Sequence, residues 1–566
     1  MAVLALAAAG CATVPTSGRV QPARAGIGQV QEYPQLIAVP PRPGWSQKQI
    51  VSGFLHASAT FADGHAIARM YLAPPLSTTW HPGWAATVVA EQPQINIAAP
   101  RSVHIVGGGP ATSVAHVNIT GQRLATLTDN GQYQTSSGSQ VYHFTLVRTD
   151  GRWRIRSLPS TTTLLLTKPD FVKVYQAHNL YFFGPTGTLL VPDPVFVPQQ
   201  ATDTDLARGL VTALLDEPQG WLSGATRTRF PAGTRLRSVK INGSSAVVNL
   251  AGAAAKASQA VREDMAAQLV WTLTSSSYSP SAIQSVQLEI NGRGQRFQEH
   301  QDYSQLVPAR PASGRLYLVS SNGVSALSGS TPRPVPGLDY SFSAIAVSPQ
   351  GSRFAGVVAS GKRTSTVYSG ALTKAIHLVP RQLNGGTCTS LSFDSRGDIW
   401  AAAGKYLWML PPGKGAAVPV VSRLLASQTI TDLRVAPDGV RVAMIIRNQN
   451  GPSQVAIGAV TRNGAQLSIG PTVAVGAGIP DPAELAWYNA YNILVLAQPG
   501  PGARLYEVPV NGGAPGRIQA VPGTISITTN GAEITAATDL GRIVTSSGPD
   551  EPWQPVTDGR APAYPG

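Results

Sequence analysis

Four stretches decide the fold: Ala344–Val358 (AIAVSPQGSRFAGVV), Ser390–Ala402 (SLSFDSRGDIWAA), Asp432–Ile446 (DLRVAPDGVRVAMII) and Glu484–Leu496 (ELAWYNAYNILVL). Each is an alternating strand, a tight polar turn and a second alternating strand, the pattern of a half-buried hairpin. Gly351, Gly397 and Gly439 mark the first three turns at nearly even spacing. A period near 40–50 residues built on strand pairs reads as propeller blades. A lone blade cannot bury both faces; stacking around an axis does so, and closure of the ring hides the edges. Gly314–Leu327 and Ile525–Thr545 read as weaker copies. A C-terminal all-β propeller of five or six blades is therefore expected over 313–566, and the missing GH…WD signature sets it apart from WD40 arrays.

Composition agrees with a turn-rich β protein. Of 566 residues, 57 are Gly and 46 are Pro, together about 18 % against an average of about 12 %. Charged residues are 13 %, about half the usual share. This excludes a coiled coil, a long helical array and charge-driven disorder. No run of about 18 apolar residues occurs, so no transmembrane helix is expected. Two cysteines, Cys11 and Cys388, supply neither a cysteine-based zinc site nor a disulfide framework.

The chain begins MAVLALAAAG and then Cys11. A short apolar segment ending in small residues is the mark of signal-peptide processing. Ala8-Ala9-Gly10-Cys11 resembles a bacterial lipoprotein signal, in which Cys11 is acylated and becomes the first mature residue. Ala8 stands where Leu is usual and no basic residue precedes the apolar run, so the natural start is expected upstream. Residues 12–44, rich in Pro and Gly, read as a disordered tether. The expected location is the extracytoplasmic face of the cell membrane.

Two α+β bodies follow. In 45–170, Ser46-Gln47-Lys48-Gln49 has capping-box form ahead of a helix with apolar Ile50, Val51, Phe54 and Leu55. A second helix is expected at Ile67–Leu72, then strands at Val103–Val106, Ala115–Ile119, Ala125–Thr128 and Tyr142–Arg148. The hairpin around Asp150-Gly151 resembles the last hairpin of NTF2-like domains. In 172–301, strands Asn179–Phe183 and Thr188–Val191, a helix carrying Leu206, Leu210 and Leu214, a hairpin at Asn242-Gly243, a helix from Val261 to Leu273 and a strand Ser285–Ile290 suggest β-α-β-β-α-β in a split βαβ arrangement. This order resembles the GerMN domain of spore-germination and envelope proteins.

A screen for chemistry finds little. H-E-x-x-H, G-x-S-x-G and S-x-x-K are missing, and nine histidines are scattered singly; no catalytic residue, metal ligand or cofactor is assigned. Gly356–Lys362 fits G-x-x-x-x-G-K, but Arg363 replaces the magnesium-binding Ser or Thr and no helix follows, so it reads as a blade turn. Glu263-Asp264 reads as a solvated helix face. A net charge of +14 and the run Arg227, Arg229, Arg235, Arg237 and Lys240 lack the interleaved aromatics of a nucleic-acid site. A generally basic surface or contact with anionic lipid or wall polymer fits better, and nucleic acid is not expected. Trp80-His81-Trp84 and Tyr181-Phe182-Phe183 read as core or inter-domain packing, and Cys388 as a buried propeller residue.

Lipoprotein-like start, tether, N-terminal α+β region, GerMN-like domain and propeller together resemble the LpqB family of actinobacterial lipoproteins. The most specific stretches are Trp153-Arg154-Ile155 into Leu158-Pro159, Asn179-Leu180-Tyr181-Phe182, Pro185-Thr186-Gly187 through Val191-Pro192-Asp193-Pro194, and Gln268–Leu273. The resemblance implies no catalytic residues. It implies contact with the extracytoplasmic domain of a sensor histidine kinase of the Mtr two-component system, tuning envelope homeostasis and division. A wall-polymer binding module without signalling, or an envelope hydrolase, are the alternatives.

Overall fold

The computed structural model describes residues 37–566, apart from 98–100, 104–111, 137, 200–201, 219, 276–282, 296–305, 307–313, 360–363, 374, 449–450 and 465. The first domain opens with the helix Gln47–Ser58. Its capping box forms: Ser46 Oγ accepts the Gln49 N–H, and Gln49 Oε1 accepts the Ser46 N–H at 2.9 Å. Ile50, Val51, Phe54 and Leu55 are buried in the domain core. The second helix expected at Ile67–Leu72 is a single turn, Ala66–Arg69. The following residues instead bridge to the sheet, where Ala73 donates to the Ile155 carbonyl and Ile155 to the Tyr71 carbonyl, both at 2.8 Å.

The two strands expected at Ala115–Ile119 and Ala125–Thr128 are one, Thr112–Leu127, on which Ala86–Val89, Gln94–Ile97, Arg101–Val103, Tyr133–Thr135 and Ser139–Thr149 all pair. Its inward positions Ala115, Val117, Ile119, Gly121, Ala125 and Leu127 are buried in unbroken alternation save at Arg123. Gly121 and Arg123 are not apolar, so the pattern breaks in sequence though not in space. Space at Gly121 is tight: the Val89 and Pro93 side chains lie 3.3–3.4 Å from where a Cβ would be. The strand expected at Val103–Val106 falls partly outside the described residues. The hairpin Ser139–Thr149 to Arg152–Ser157 turns at Asp150 (φ 49°) and Gly151 (φ 72°), the two positive φ angles of a type I′ turn.

In the central domain the expected single split sheet is not formed. Tyr175–Phe183 and Leu190–Pro198 make a two-stranded sheet of their own, while Thr234–Asn242, Ser245–Gly252, Ser285–Ile290 and Arg293–Gly294 make another. The cause lies in Leu190–Pro198. Phe196 uses its N–H outward, to the Gly131 carbonyl of the first domain. Pro192, Pro194 and Pro198 share that outward parity and have no N–H, so this edge has few donors for a third strand. All nine residues of the strand are buried. The helices Asp203–Leu215 and Gln259–Thr274, capped by Thr202 and Ser258, pack their apolar faces with Val239, Val248, Leu250 and Leu288 of the second sheet.

Six four-stranded blades follow among the described residues. Blade 2 starts at Ala344–Val347, blade 3 at Cys388–Phe393, blade 4 at Gln428–Val435, blade 5 at Pro482–Trp487 and blade 6 at Thr524–Thr529. These first strands contact one another in ring order. The ring closes because Arg560–Ala563, from the end of the chain, pairs with Tyr317–Ser320 as the inner strand of blade 1. Blade 1 is thus a weak copy in sequence because its inner strand is about 240 residues away. Blades 3 and 4 are also joined at the rim, where Val418–Ser422 runs parallel to Gln466–Val475.

Candidate functional site at the channel and the domain joint

The propeller's innermost strands meet a common difficulty: their edges carry backbone N–H groups with no next strand to receive them. Side chains of the preceding blade answer it. Ser390 Oγ accepts from Leu433 N at 3.1 Å, Ser392 Oγ from Val435 N at 3.0 Å, Asp432 Oδ2 from Leu485 N at 2.7 Å, and Glu484 Oε2 from Ile527 N at 2.8 Å. Ser390, Asp432, Glu484 and Ser526 occupy one repeat position, and each follows a bulge in its strand. A bulge re-aims the next side chain, here across to the neighbouring blade.

Arg434 completes this network. Its Nη1 donates to Asp432 Oδ1 at 2.6 Å and to Ser390 Oγ at 2.8 Å, and its Nη2 to Glu484 Oε1 at 3.3 Å. Two carboxylates therefore share one guanidinium. Burial, helped by the neighbouring Asp432, outweighs Arg434 and pushes the Glu484 carboxyl up to about 7. Burial likewise raises Asp432. Arg434, which holds both acids, lines a channel of about 590 Å³, open solvent included, together with Ser392, Trp487, Thr528 and Tyr564. Each acid accepts three hydrogen bonds from the protein. Such an arrangement locks blades together; it does not present a carboxyl poised to exchange a proton with a substrate.

The central domain docks on blades 4 and 5 beside this channel. Arg441, the first residue after the first turn of blade 4, is buried with its partner Asp438 at 2.6 Å, their side chains 2 % and 0 % exposed. Its Nη1 reaches the Ala490 carbonyl of blade 5 at 2.7 Å, and its guanidinium lies 5.0 Å from the Trp487 ring. Ala490 packs with Tyr181, Phe183, Leu190 and Ala267 of the central domain. The Tyr181 and Tyr491 hydroxyls share a hydrogen bond of 2.5 Å. Gln268 fixes the central-domain side, donating to the Tyr181 carbonyl at 2.6 Å and accepting from Arg229 N at 2.8 Å.

The first domain joins the same region. Gln132 Nε2 donates to Asp193 Oδ2 at 3.1 Å. Asp193 is wholly buried, and the neutral amide and the nearby Arg441 do not offset desolvation, so its carboxyl is pushed up to about 7. The Trp84 indole of the first domain packs against the helix Asp203–Leu215 at Gly209; a Cβ there would fall 2.0 Å from the ring.

The residues singled out in sequence scatter. Cys11 and residues 12–36 of the tether lie outside the described residues. Arg229 is structural, paired with Asp264 at 3.3 Å and set over the Phe183 ring. Arg235, Arg237 and Lys240 are exposed on Thr234–Asn242, an edge strand, where charge discourages strand addition. Cys388 is buried in blade 3 and its thiol is pushed up to about 12 by desolvation. Gly356 is inside the strand Arg353–Ala359. Trp80 is core, whereas Trp84 packs between domains. Among the described residues, no group of three or more His, Cys, Asp or Glu is placed to hold a metal. The carboxylates held by Arg434 went unnoticed in sequence, although an acid at one position of two successive repeats was the available signal.

Residues 40–172 match the family described as "Lipoprotein LpqB, N-terminal domain", 179–295 that described as "Sporulation and spore germination", and 314–565 that described as "Lipoprotein LpqB beta-propeller domain". "Lipoprotein LpqB" of Thermobifida fusca is 30 % identical over 100 % of this chain and 98 % of its own length. "Lipoprotein LpqB" of Streptomyces coelicolor is 28 % identical over 99 % and 96 %. Among solved structures, TolB from Acinetobacter baumannii is similar at 18 % identity and a TM-score of 0.35, covering 45 % of this chain and 67 % of that one. With domain order and full length both matched, the chain belongs to the LpqB lipoprotein family.

Proposed function

We propose that the protein is a lipid-anchored adaptor on the outer face of the cell membrane that modulates a two-component sensor kinase of the Mtr type in envelope homeostasis and division. The relatives' name supports anchoring, as does Cys11 behind Ala8-Ala9-Gly10. No helix among the described residues is long and apolar enough to cross a membrane. The observation that carries the adaptor reading is the buried joint at Arg441, Tyr181 and Asp193. It welds three domains into one body, so a contact made on any of them is felt by the rest. Anchoring in the same membrane raises the effective concentration of adaptor and sensor, and weak contacts then suffice. Such a contact shifts the kinase only by binding its two states differently.

The test has two arms. Wild type and Cys11→Ser are expressed from the native upstream region and fractionated; acylated protein in membranes for the first and soluble protein for the second is expected. The full chain is then used to capture the sensor's extracytoplasmic domain, with kinase autophosphorylation as readout. Capture without any change in phosphorylation would leave a tether and remove the modulator.

A further inference from the structure

The strand Arg152–Ser157 is the edge of the first domain's sheet and carries Arg152, Arg154 and Arg156 on one face; Arg148, paired with Trp153, lies on the other. Arg148, Arg152 and Arg156 are exposed and Arg154 is half-buried. None takes part in an ion pair among the described residues. Their partners are backbone carbonyls: Arg148 Nε donates to Gly151 O at 3.2 Å and Arg154 Nη1 to Trp153 O at 2.8 Å. Asp150, in the turn, is the one acid of this hairpin. Burial, and then repulsion from Arg152, depress the Arg154 guanidinium, so this strip gains from any anion brought to it.

The strip adjoins the place where the N-terminal segment meets the domain. Tyr71 donates its hydroxyl to the Val39 carbonyl at 2.5 Å, accepts the Ile155 N–H on its own carbonyl, and its phenol feels the charge of Arg154. Around this point large apolar side chains stand in solvent: Ile37 is 80 % exposed, Met70 49 % and Val39 41 %. Arg42, also exposed and unpaired, is three residues further along. The 36 residues ahead of Ile37 contain Cys11.

We propose that this face of the first domain rests on an anionic phospholipid surface, the arginines on headgroup phosphates and Ile37, Val39 and Met70 in the headgroup–acyl boundary. A soluble polyanion would use the arginines alone; a bilayer uses the arginines and the apolar side chains together. The proposal extends the anchoring reading by fixing which face lies down, and it needs no acyl chain of its own.

The test uses the full Cys11→Ser chain, which removes the acyl anchor, in co-sedimentation with vesicles of phosphatidylglycerol mixed into phosphatidylcholine, against phosphatidylcholine alone. Binding is expected to the mixed vesicles only and to weaken with salt. Each basic residue near such a surface is worth about a five-fold change in partitioning, so R152Q/R154Q/R156Q is expected to lower it by roughly two orders of magnitude. R152Q/R156Q, both at exposed sites, repeats the test if the triple variant unfolds. Ile37→Ser with Met70→Ser lowers binding at unchanged charge, and R235Q/R237Q/K240Q on the central domain leaves it unchanged. Equal binding to both vesicles, no loss in the arginine variants, an equal loss in the central-domain variant, or binding to an anionic wall polymer but not to vesicles would each overturn the proposal. An unmodified Cys11 in cells would defeat acylation while leaving the vesicle result standing.

Discussion

Arginines serve opposite purposes in two regions of this molecule. In the propeller three of them end on carboxylates: Arg441 on Asp438, Arg434 between Asp432 and Glu484, and Arg462 on Asp394 at 2.6 Å and Asp398 at 3.6 Å. In the hairpin Ser139–Ser157 of the first domain they end on backbone carbonyls or in solvent. The net charge of +14 is therefore a poor guide to where charge is available. A buried pair is costly to break because the survivor is left charged in a low-dielectric site, whereas an exposed cation is nearly free to change.

That contrast can be broken by experiment. Arg441→Ala strands Asp438 and removes the bond to Ala490; it is expected to cost about 3–5 kcal/mol in denaturant unfolding and to expose the central-domain joint to protease. Arg152→Ala, at an exposed site, is expected within about 0.5 kcal/mol of wild type. Equal effects would erase the distinction between the two regions.

Asp193 is the converse case, a buried carboxylate whose hydrogen-bond donor is a neutral amide. Its folded pKa of about 7 lies above the 3.8 of the free side chain. The folded state thus holds a proton that the unfolded state has released, and the stability this gives is lost as pH rises through 7. Asp193→Asn removes the titration. The variant's stability relative to wild type is expected to rise by about 2–3 kcal/mol between pH 5 and pH 8. His65 and His178, whose burial lowers both to about 4, act in the opposite direction below pH 6.5. The difference between the two proteins, rather than the wild-type curve, is the quantity to measure. A flat difference would mean that Asp193 stays ionised when folded.

Gly209→Ala sharpens the comparison from the side of packing. Here the first and central domains meet without charge, through the Trp84 indole on a helix backbone. The added methyl group must push the ring away, with an expected cost of about 1–3 kcal/mol and a red shift in Trp fluorescence. Trp84→Ala in the same background should relieve the clash and make the two changes strongly non-additive.

Much of the fold was legible because local signals were strong. The turn glycines Gly351, Gly397 and Gly439 have positive φ of 66°, 80° and 71°, and the capping box at Ser46 forms as its residue types require. What stayed hidden depends on contacts distant in sequence. The inner strand of blade 1 has no signal near Tyr317. The continuity of Thr112–Leu127 is masked by Gly121 and Arg123. The separation of the central domain's two sheets rests on the unused edge at Pro192 and Pro194, which a strand count cannot weigh. The joint was least legible of all: Tyr181 and Asp193 were quoted in sequence for their resemblance to a family, yet their partners Tyr491 and Gln132 carried no mark of their own. Arg441 looked like any polar residue after a blade turn.

A small effect is expected at Cys388, and it separates burial from reactivity. Its Sγ lies 3.5 Å from the Ser390 carbonyl, next to the residue that begins the chain of inter-blade hydrogen bonds. With its thiol pushed up to about 12, almost none is thiolate at neutral pH, and thiolate is the reactive form. Alkylation of the native Cys11→Ser protein should therefore proceed only through opening of blade 3, at a rate that follows denaturant. Cys388→Ala, which trades one buried atom for a small gap, is expected to cost about 1 kcal/mol. Arg434→Met, by contrast, leaves Asp432 and Glu484 facing each other without a shared cation and should raise the alkylation rate of Cys388 although the two side chains belong to different blades. Rapid alkylation in the wild type, or no response to Arg434→Met, would mean that the blades open independently and that the chain of hydrogen bonds does not make these blades one cooperative unit.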